Sequence, residues 1–290
     1  MSEAAGPLVS TAWLAEHLDA PDVRVADASY YLPVEAKIGH EAYLKQHIPG
    51  AVFFDIDDIA ESPGGLPHML PSPETFSDKV GKLGLGDAVK VVIYDSRGVF
   101  SSPRVWWTFT VFGHKDVAVL DGGLPKWLAE GRPVEEGPVE PHERHFTARM
   151  NGLLLRELDQ IQANLKSGRE QLLDARDAKR FAGGGEEIWP GRRNGHIPGS
   201  RNLPFQQLFA ADGTMLDPPQ LAGRFCAAGI DLTKPVVTTC GSGITAAILS
   251  LGLALAGARN TALYDGSWAE WGLPEAEGKN ERPIETGAPS

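Results

Sequence analysis

Val236-Val237-Thr238-Thr239-Cys240-Gly241-Ser242-Gly243-Ile244-Thr245-Ala246 is the stretch that decides the fold. It begins with β-branched residues, meets a cysteine, passes two glycines and enters the apolar run 246–258. That order predicts a buried strand, a tight loop and a helix. Cys240 then stands at the C-terminal end of the strand, beneath the N-terminus of the helix. The first turn of a helix leaves amide N–H groups without internal partners, and the helix dipole adds positive charge there. Gly241 and Gly243 let the backbone curl so that several N–H groups face one centre. An anion at that centre is stabilised, and for Cys240 the anion is the thiolate. A persulfide, one sulfur longer, fits the same cradle. A buried inert cysteine is the plainer alternative, but it needs no flanking glycines. A loop built for phosphate would close with an arginine that grips oxygens in pairs; Gly241 to Ala246 contains none.

The chain has 290 residues, which suits two domains of ordinary size, and its apolar share of 42% is enough for two cores. The formal charge of −11 argues against nucleic acid or an anionic membrane as partner. Met1 to Ser10 lack a basic and then apolar pattern, so no secretory signal is expected. The run 246–258 is too short to span a bilayer. Two cysteines do not make a disulfide framework, so a reducing, cytoplasmic setting is expected.

Working outward, landmarks recur in the same order. His47-Ile48-Pro49-Gly50 returns as His196-Ile197-Pro198-Gly199, and Asp27-Ala28 as Asp174-Ala175. Val91 to Asp95 returns as Val236 to Cys240, and Asp121-Gly122-Gly123 with Trp127 as Asp265-Gly266-Ser267 with Trp271. The offset stays between 144 and 149 residues, so the chain is a duplicated domain.

Strands are expected at 24–28, 51–54, 91–94 and 117–120, and again near Leu172, Arg201, Val236 and Ala262. Helices are expected at 11–18, 73–83, 103–112, 124–130, 153–165, 218–228 and 245–256. Such alternation predicts an α/β fold with two tandem domains, each a mostly parallel sheet with helices on both faces. Ligands then sit beyond the carboxyl ends of the strands, the edge that carries Cys240. The expected boundaries are 8–132 for the first domain, 133–150 for a Pro- and Glu-rich surface linker, 151–276 for the second domain and 277–290 for a polar tail that frays.

Beyond the Cys240 loop and the tandem repeat, the chain carries Phe53-Phe54-Asp55-Ile56-Asp57, His68-Met69-Leu70-Pro71, Pro103-Arg104-Val105-Trp106-Trp107 and Tyr264-Asp265-Gly266-Ser267-Trp268. On these motifs it resembles the two-domain rhodanese superfamily, and within it the 3-mercaptopyruvate sulfurtransferases. The resemblance covers roughly residues 8–271. Thiosulfate-preferring members carry basic residues just after the cysteine, where this chain has Gly241 and Ser242. A dianionic donor would want added positive charge beside the thiolate, so both lines point to mercaptopyruvate.

The resemblance implies covalent catalysis. Cys240 attacks the sulfur of the small-molecule donor 3-mercaptopyruvate, pyruvate leaves as its enolate, and the persulfide is discharged to a thiol acceptor such as thioredoxin, or to cyanide. It implies no cofactor and no metal. Amides of Gly241, Gly243, Ile244 and Thr245 would stabilise charge on sulfur. Arg180 matches the arginine that binds the donor's carboxylate and ketone, a task suited to a forked guanidinium. The branch usually has a second arginine nine residues on; this chain has Trp189, with Arg192 and Arg193 close behind. Ser242, His68 and Asp57 match a proposed proton relay, although His68 and Asp57 fall in the first half of the chain. Two alternatives stay open: thiosulfate as donor, and a persulfide carrier or redox sensor without turnover.

The first half has Asp95 where the second has Cys240, and a carboxylate carries no sulfane sulfur. Phe100 and Arg104 beside it either line a cleft or pack an interface. His47 and His196 occur in both halves, which marks them as structural residues of a turn. Cys226, in a helical pattern, and the Trp106-Trp107 pair are expected in cores. The histidines join no cysteine cluster, so a zinc site is not expected.

Overall fold

The computed structural model describes residues 6–275 and 282–288. The described residues divide into two compact units, one holding 6–61, 70–151 and 209–215, the other 62–69, 152–208 and 216 onward. Each contains a five-stranded, wholly parallel sheet.

In the first unit the strands are β1 (Leu8–Val9), β2 (Val23–Asp27), β3 (Val52–Phe53), β4 (Lys90–Tyr94) and β5 (Val117–Leu120), in the order β1-β5-β4-β2-β3. The helices are α1 (Thr11–His17), α2 (Gly39–Lys45), α3 (Ile56–Ile59), α4 (Pro73–Lys82), α5 (Ser102–Val111) and α6 (Gly123–Ala129). The second unit repeats the plan with β6 (Leu155–Arg156), β7 (Gln171–Asp174), β8 (Arg201–Asn202), β9 (Val236–Thr239) and β10 (Thr261–Tyr264), ordered β6-β10-β9-β7-β8. Its helices are α7 (Leu158–Ser167), α8 (Ala178–Phe181), α9 (Pro218–Ala227), α10 (Ala246–Leu255) and α11 (Ser267–Trp271). The α/β fold expected from the alternation is therefore present in both halves. No helix among the described residues is long and apolar enough to cross a membrane.

The central strands β4 and β9 have strand neighbours on either side and bury every residue except Lys90. Such strands read as continuous apolar or β-branched runs rather than as alternation. Helix α10 is buried from Ala246 to Leu253, so its first turn, which faces the Cys240 loop, is shielded from water.

The repeat landmarks are the parts that close each unit. Ile48 and Ile197 sit in the two cores with Trp127 and Trp271. Trp127 donates Nε1–H to the Pro133 carbonyl at 2.7 Å, and Trp271 donates to Pro283 at 2.9 Å. Two residues on, Glu135 pairs in antiparallel fashion with His47, and Glu285 with His196. The same glutamates accept the amide of Gly50 at 3.0 Å and of Gly199 at 3.2 Å, both glycines having φ of 72°. Each repeat thus ends by clasping its own His-Ile-Pro-Gly turn, which accounts for both histidines without catalysis.

Several expectations change. The helix expected at 153–165 starts only at Leu158, because Glu157 and Gln160 form a capping box there and the preceding residues make β6. The segment 133–150 is anchored as well as exposed: Phe146 is buried against Phe76 and Phe109. Part of the expected tail lies outside the described residues, while 282–288 pack back through the Glu285 clasp instead of fraying. Cys226 is exposed on α9, not buried in a core; Leu221 and Phe225 form the buried side of that helix. Trp106 and Trp107 are buried as expected.

Candidate active site

Strand β9 ends at Thr239, and Cys240 opens the loop to α10. Cys240 is 1% exposed, and its Sγ accepts the Gly243 amide at 3.1 Å. Gly243 has φ of 84°, the left-handed region that a side chain disfavours, and this turns its N–H back towards the sulfur. The loop is fastened from below by α11: Trp268 N donates to the Cys240 carbonyl at 3.0 Å and Ala269 N to the Gly241 carbonyl at 2.8 Å. Ile244 and Thr245 complete the loop before α10, Ile244 being buried.

Ser242 Oγ and His68 Nδ1 are 3.0 Å apart, and both residues are buried. His68 lies in the stretch 62–69 that packs with the second unit, although its place in the sequence puts it in the first half. It adopts a left-handed φ of 58°, a strained conformation that recurs at functional positions. Asp57 belongs to the first unit, exposed in the first turn of α3, where its amide donates to Asp55 Oδ1.

Arg180 is placed by the one-turn helix α8, capped by Asp177, which accepts the Arg180 amide at 2.9 Å. Its Nη2 donates to Glu187 Oε2 at 2.6 Å, and its Nε, shielded from solvent, has no partner among the described residues. A methyl group built on Gly241 would lie 3.5 Å from Arg180 Nη2 and 3.6 Å from Trp189 Nε1. Arg180 Nη2 and Trp189 Nε1 therefore both lie beside Gly241 in the cysteine loop. Trp189 also sets its ring edge-on to His68, with centroids 5.6 Å apart and planes at 74°. Arg192 and Arg193 do not swing in. Arg192 is tied to the Ala269 and Pro190 carbonyls, and Arg193 to those of Trp271 and Arg282.

The sequence reading missed Arg176 and Glu187. Arg176 is buried, donates to both Asp174 oxygens and to the Gly195 carbonyl, and stacks on Trp268 at 4.4 Å. Its Nη1 reaches Glu187 Oε1 at 3.0 Å, so Glu187 bridges Arg176 and Arg180. Burial opposes the charge on Arg176, but Asp174, then Glu187 and Cys240, outweigh it and raise its pKa above the ordinary value. The signal was present: Arg176 follows the repeated Asp174-Ala175 landmark, where the first half has Ser29.

Among the described residues no cluster of three or more His, Cys, Asp or Glu is arranged to hold a metal. What the arrangement brings together is a buried cysteine sulfur bonded by a backbone amide, a hydroxyl–imidazole pair, and a guanidinium and an indole beside the loop.

The family model for the rhodanese-like domain matches twice, over residues 10–130 and 157–273. Human 3-mercaptopyruvate sulfurtransferase is 42% identical over 270 residues, 91% of either chain. Thiosulfate sulfurtransferase of Bos taurus is 44% identical over 271 residues, again 91% of either chain. The crystal structure of SseA from Escherichia coli, a study of 3-mercaptopyruvate sulfotransferases, matches with a TM-score of 0.84 at 38% identity, over 91% of this chain and 99% of that one. With two matched domains, the shared sheet order in both halves and relatives aligned along nearly its whole length, the chain belongs to the rhodanese family.

Proposed function

We infer that the chain is a sulfurtransferase whose donor is 3-mercaptopyruvate and whose sulfur carrier is Cys240. The observation that carries this reading is the charge balance around the nucleophile. Arg176 and Arg180 are matched by Asp174 and Glu187, and the loop itself is neutral. A monocarboxylate adds a single negative charge to this balanced set, whereas a dianion adds two and would find no surplus cation in it. Identity alone does not choose between donors, since human mercaptopyruvate and bovine thiosulfate enzymes are about equally similar.

In the first half-reaction the Cys240 thiolate attacks the donor's thiol sulfur. An S–S bond forms, the C–S bond breaks, and its electron pair leaves with carbon as the pyruvate enolate. The thiol proton moves to the enolate carbon, giving pyruvate and a deprotonated persulfide. The Ser242–His68 pair is the group suited to hold that proton in transit. The Gly243 amide and its neighbours in the loop stabilise charge on sulfur. In the second half-reaction a thiol RSH takes the outer sulfur as RSSH and returns Cys240 as thiolate; thioredoxin or a small thiol fits the role. No step is assigned to Asp57. Two free cysteines suit the reducing cytoplasm expected from the sequence.

The test is a donor comparison. Wild type should form pyruvate with mercaptopyruvate at a higher kcat/KM than it forms sulfite with thiosulfate, and Cys240 should gain one sulfur by mass. Cys240→Ser should do neither. The bovine relative's 44% identity favours a second reading, thiosulfate as donor; a wide thiosulfate advantage would establish it in place of the first.

A further inference from the structure

Gly241 is flanked by two donors of different kinds. Arg180 brings a charged guanidinium from α8, and Trp189 brings a neutral indole N–H from the loop that follows. An added Cβ on Gly241 would lie 3.5 and 3.6 Å from their nitrogens, so both groups flank the loop where a small, oxygen-rich ligand approaching Cys240 would meet them. Trp189 is half-buried, and its ring is braced edge-on against His68, whose Nδ1 contacts Ser242. The indole is thus held in place on the side of the loop where the proton-handling pair lies. Glu187 is the carboxylate bonded to the Arg180 guanidinium, and it is engaged on its other oxygen by Arg176.

A neutral donor beside a charged one suits a ligand that presents a neutral oxygen beside a charged one. A 2-oxo acid has this pattern: a carboxylate, and a ketone on the adjacent carbon. In the transfer step the ketone oxygen becomes the enolate oxygen as the C–S bond breaks. A fixed N–H aimed at it bonds more strongly in the transition state than in the ground state, which is the condition for accelerating chemistry. Resting on the sulfurtransferase reading, we propose that Trp189 is a specificity-determining residue: its indole N–H donates to the 2-oxo oxygen of the sulfur donor and stabilises the enolate as it forms, while Arg180 holds the carboxylate.

The experiment separates the two half-reactions on Trp189→Phe, which keeps a ring against His68 and removes the N–H. Sulfur loading from mercaptopyruvate is followed as pyruvate release in a single turnover. Discharge is followed on enzyme preloaded with inorganic polysulfide and mixed with cyanide, a step with no carbonyl. Loading should slow by roughly 100-fold, the usual effect of removing one oxyanion donor, with kcat falling more than KM rises, and discharge should stay at the wild-type rate. Equal slowing of both steps would mean Trp189 only supports the loop, and unchanged loading would mean the N–H makes no such bond; either overturns the inference while the donor reading stands. Wild type that fails to release pyruvate from mercaptopyruvate overturns the donor reading itself, and the inference with it.

Discussion

Asp95 holds, at the end of β4 in the first unit, the place that Cys240 holds at the end of β9 in the second. Its Oδ2 accepts the amides of Phe100, Ser101 and Ser102 at 2.8, 3.0 and 3.0 Å and the Ser102 hydroxyl at 2.7 Å, while Oδ1 accepts the Arg97 amide at 2.9 Å. Four of those five donors come from residues 100–102, which lead into α5, the counterpart of α10. The strand–loop–helix unit therefore turns backbone N–H groups onto the residue after the strand in both repeats. In one that residue is a carboxylate, in the other the Cys240 sulfur, which takes the Gly243 amide.

Removing the Asp95 carboxylate should destabilise the protein without touching the nucleophile. Asp95→Ala leaves several buried donors unsatisfied, and a loss of about 3 kcal/mol or more is expected. Asp95→Asn keeps one acceptor oxygen and should cost less. Urea unfolding followed by tryptophan fluorescence checks both. A loss below about 1 kcal/mol for the alanine variant would show that these hydrogen bonds contribute little to folding.

The Glu187 bridge makes a second prediction, about charge. Glu187→Gln keeps an acceptor for one arginine and leaves the Asp174, Arg176 and Arg180 set with a surplus positive charge. The ratio of kcat/KM for thiosulfate to that for mercaptopyruvate should rise by about tenfold, equivalent to about 1.4 kcal/mol. The rise should shrink with added salt in so far as the site is open to solvent. Steady-state rates with both donors at two ionic strengths measure it; an unchanged ratio would mean that charge balance does not set donor choice.

The nucleophile, its loop and the duplication were legible because each is local: β-branched run, glycines and apolar helix occur within about twenty residues, and the landmarks repeat in order. The rest was hidden for physical reasons. Strands β1 and β6 have two residues each, too short for any periodic pattern. Helices α8 and α11 are one turn long, and α8 carries Arg180. Leu153 and Leu154 merge with the α7 pattern in sequence, and only the Glu157 cap separates them. Arg176 looked like a residue after a landmark because its partner Glu187 is eleven positions away in a loop. The departure of 62–69 from the first unit has no local pattern in the sequence; only the family resemblance paired His68 with Ser242, which the fold brings together.

Asp27 makes a prediction about pH. It is the counterpart of Asp174, but Ser29 stands where Arg176 would pair with it. Burial, aided by the nearby Asp95 and only partly offset by hydrogen bonds from Ser29 and Tyr94, raises its pKa to about 6. The unfolded value is about 3.9, so the folded state binds this proton more tightly. The contribution to stability is full below about pH 4 and is lost as pH rises through 6. Asp27→Asn mimics the protonated form. It should match wild type near pH 4 and exceed it by about 2–3 kcal/mol at pH 7.5. Urea titrations of both proteins across that range give the difference directly, and a gap that does not grow with pH would place the Asp27 titration elsewhere.

Gly241 tests whether the space over the loop is where the donor sits. Its φ does not lie in the left-handed region, and a methyl there meets nothing closer than the 3.5 Å to Arg180 Nη2. Gly241→Ala should therefore fold normally, with an unfolding midpoint close to wild type. The methyl would nonetheless project towards Arg180 and Trp189, 3.5 and 3.6 Å from their nitrogens. A donor bound to those groups beside the loop is crowded by it, so KM for mercaptopyruvate should rise by about tenfold or more, the effect of losing about 1.4 kcal/mol of binding. Discharge of a preformed persulfide to cyanide, a small linear ion that needs neither N–H donor, should change far less. If KM is unaffected, the donor approaches Cys240 from another side, and Arg180 and Trp189 beside Gly241 serve the loop rather than the substrate.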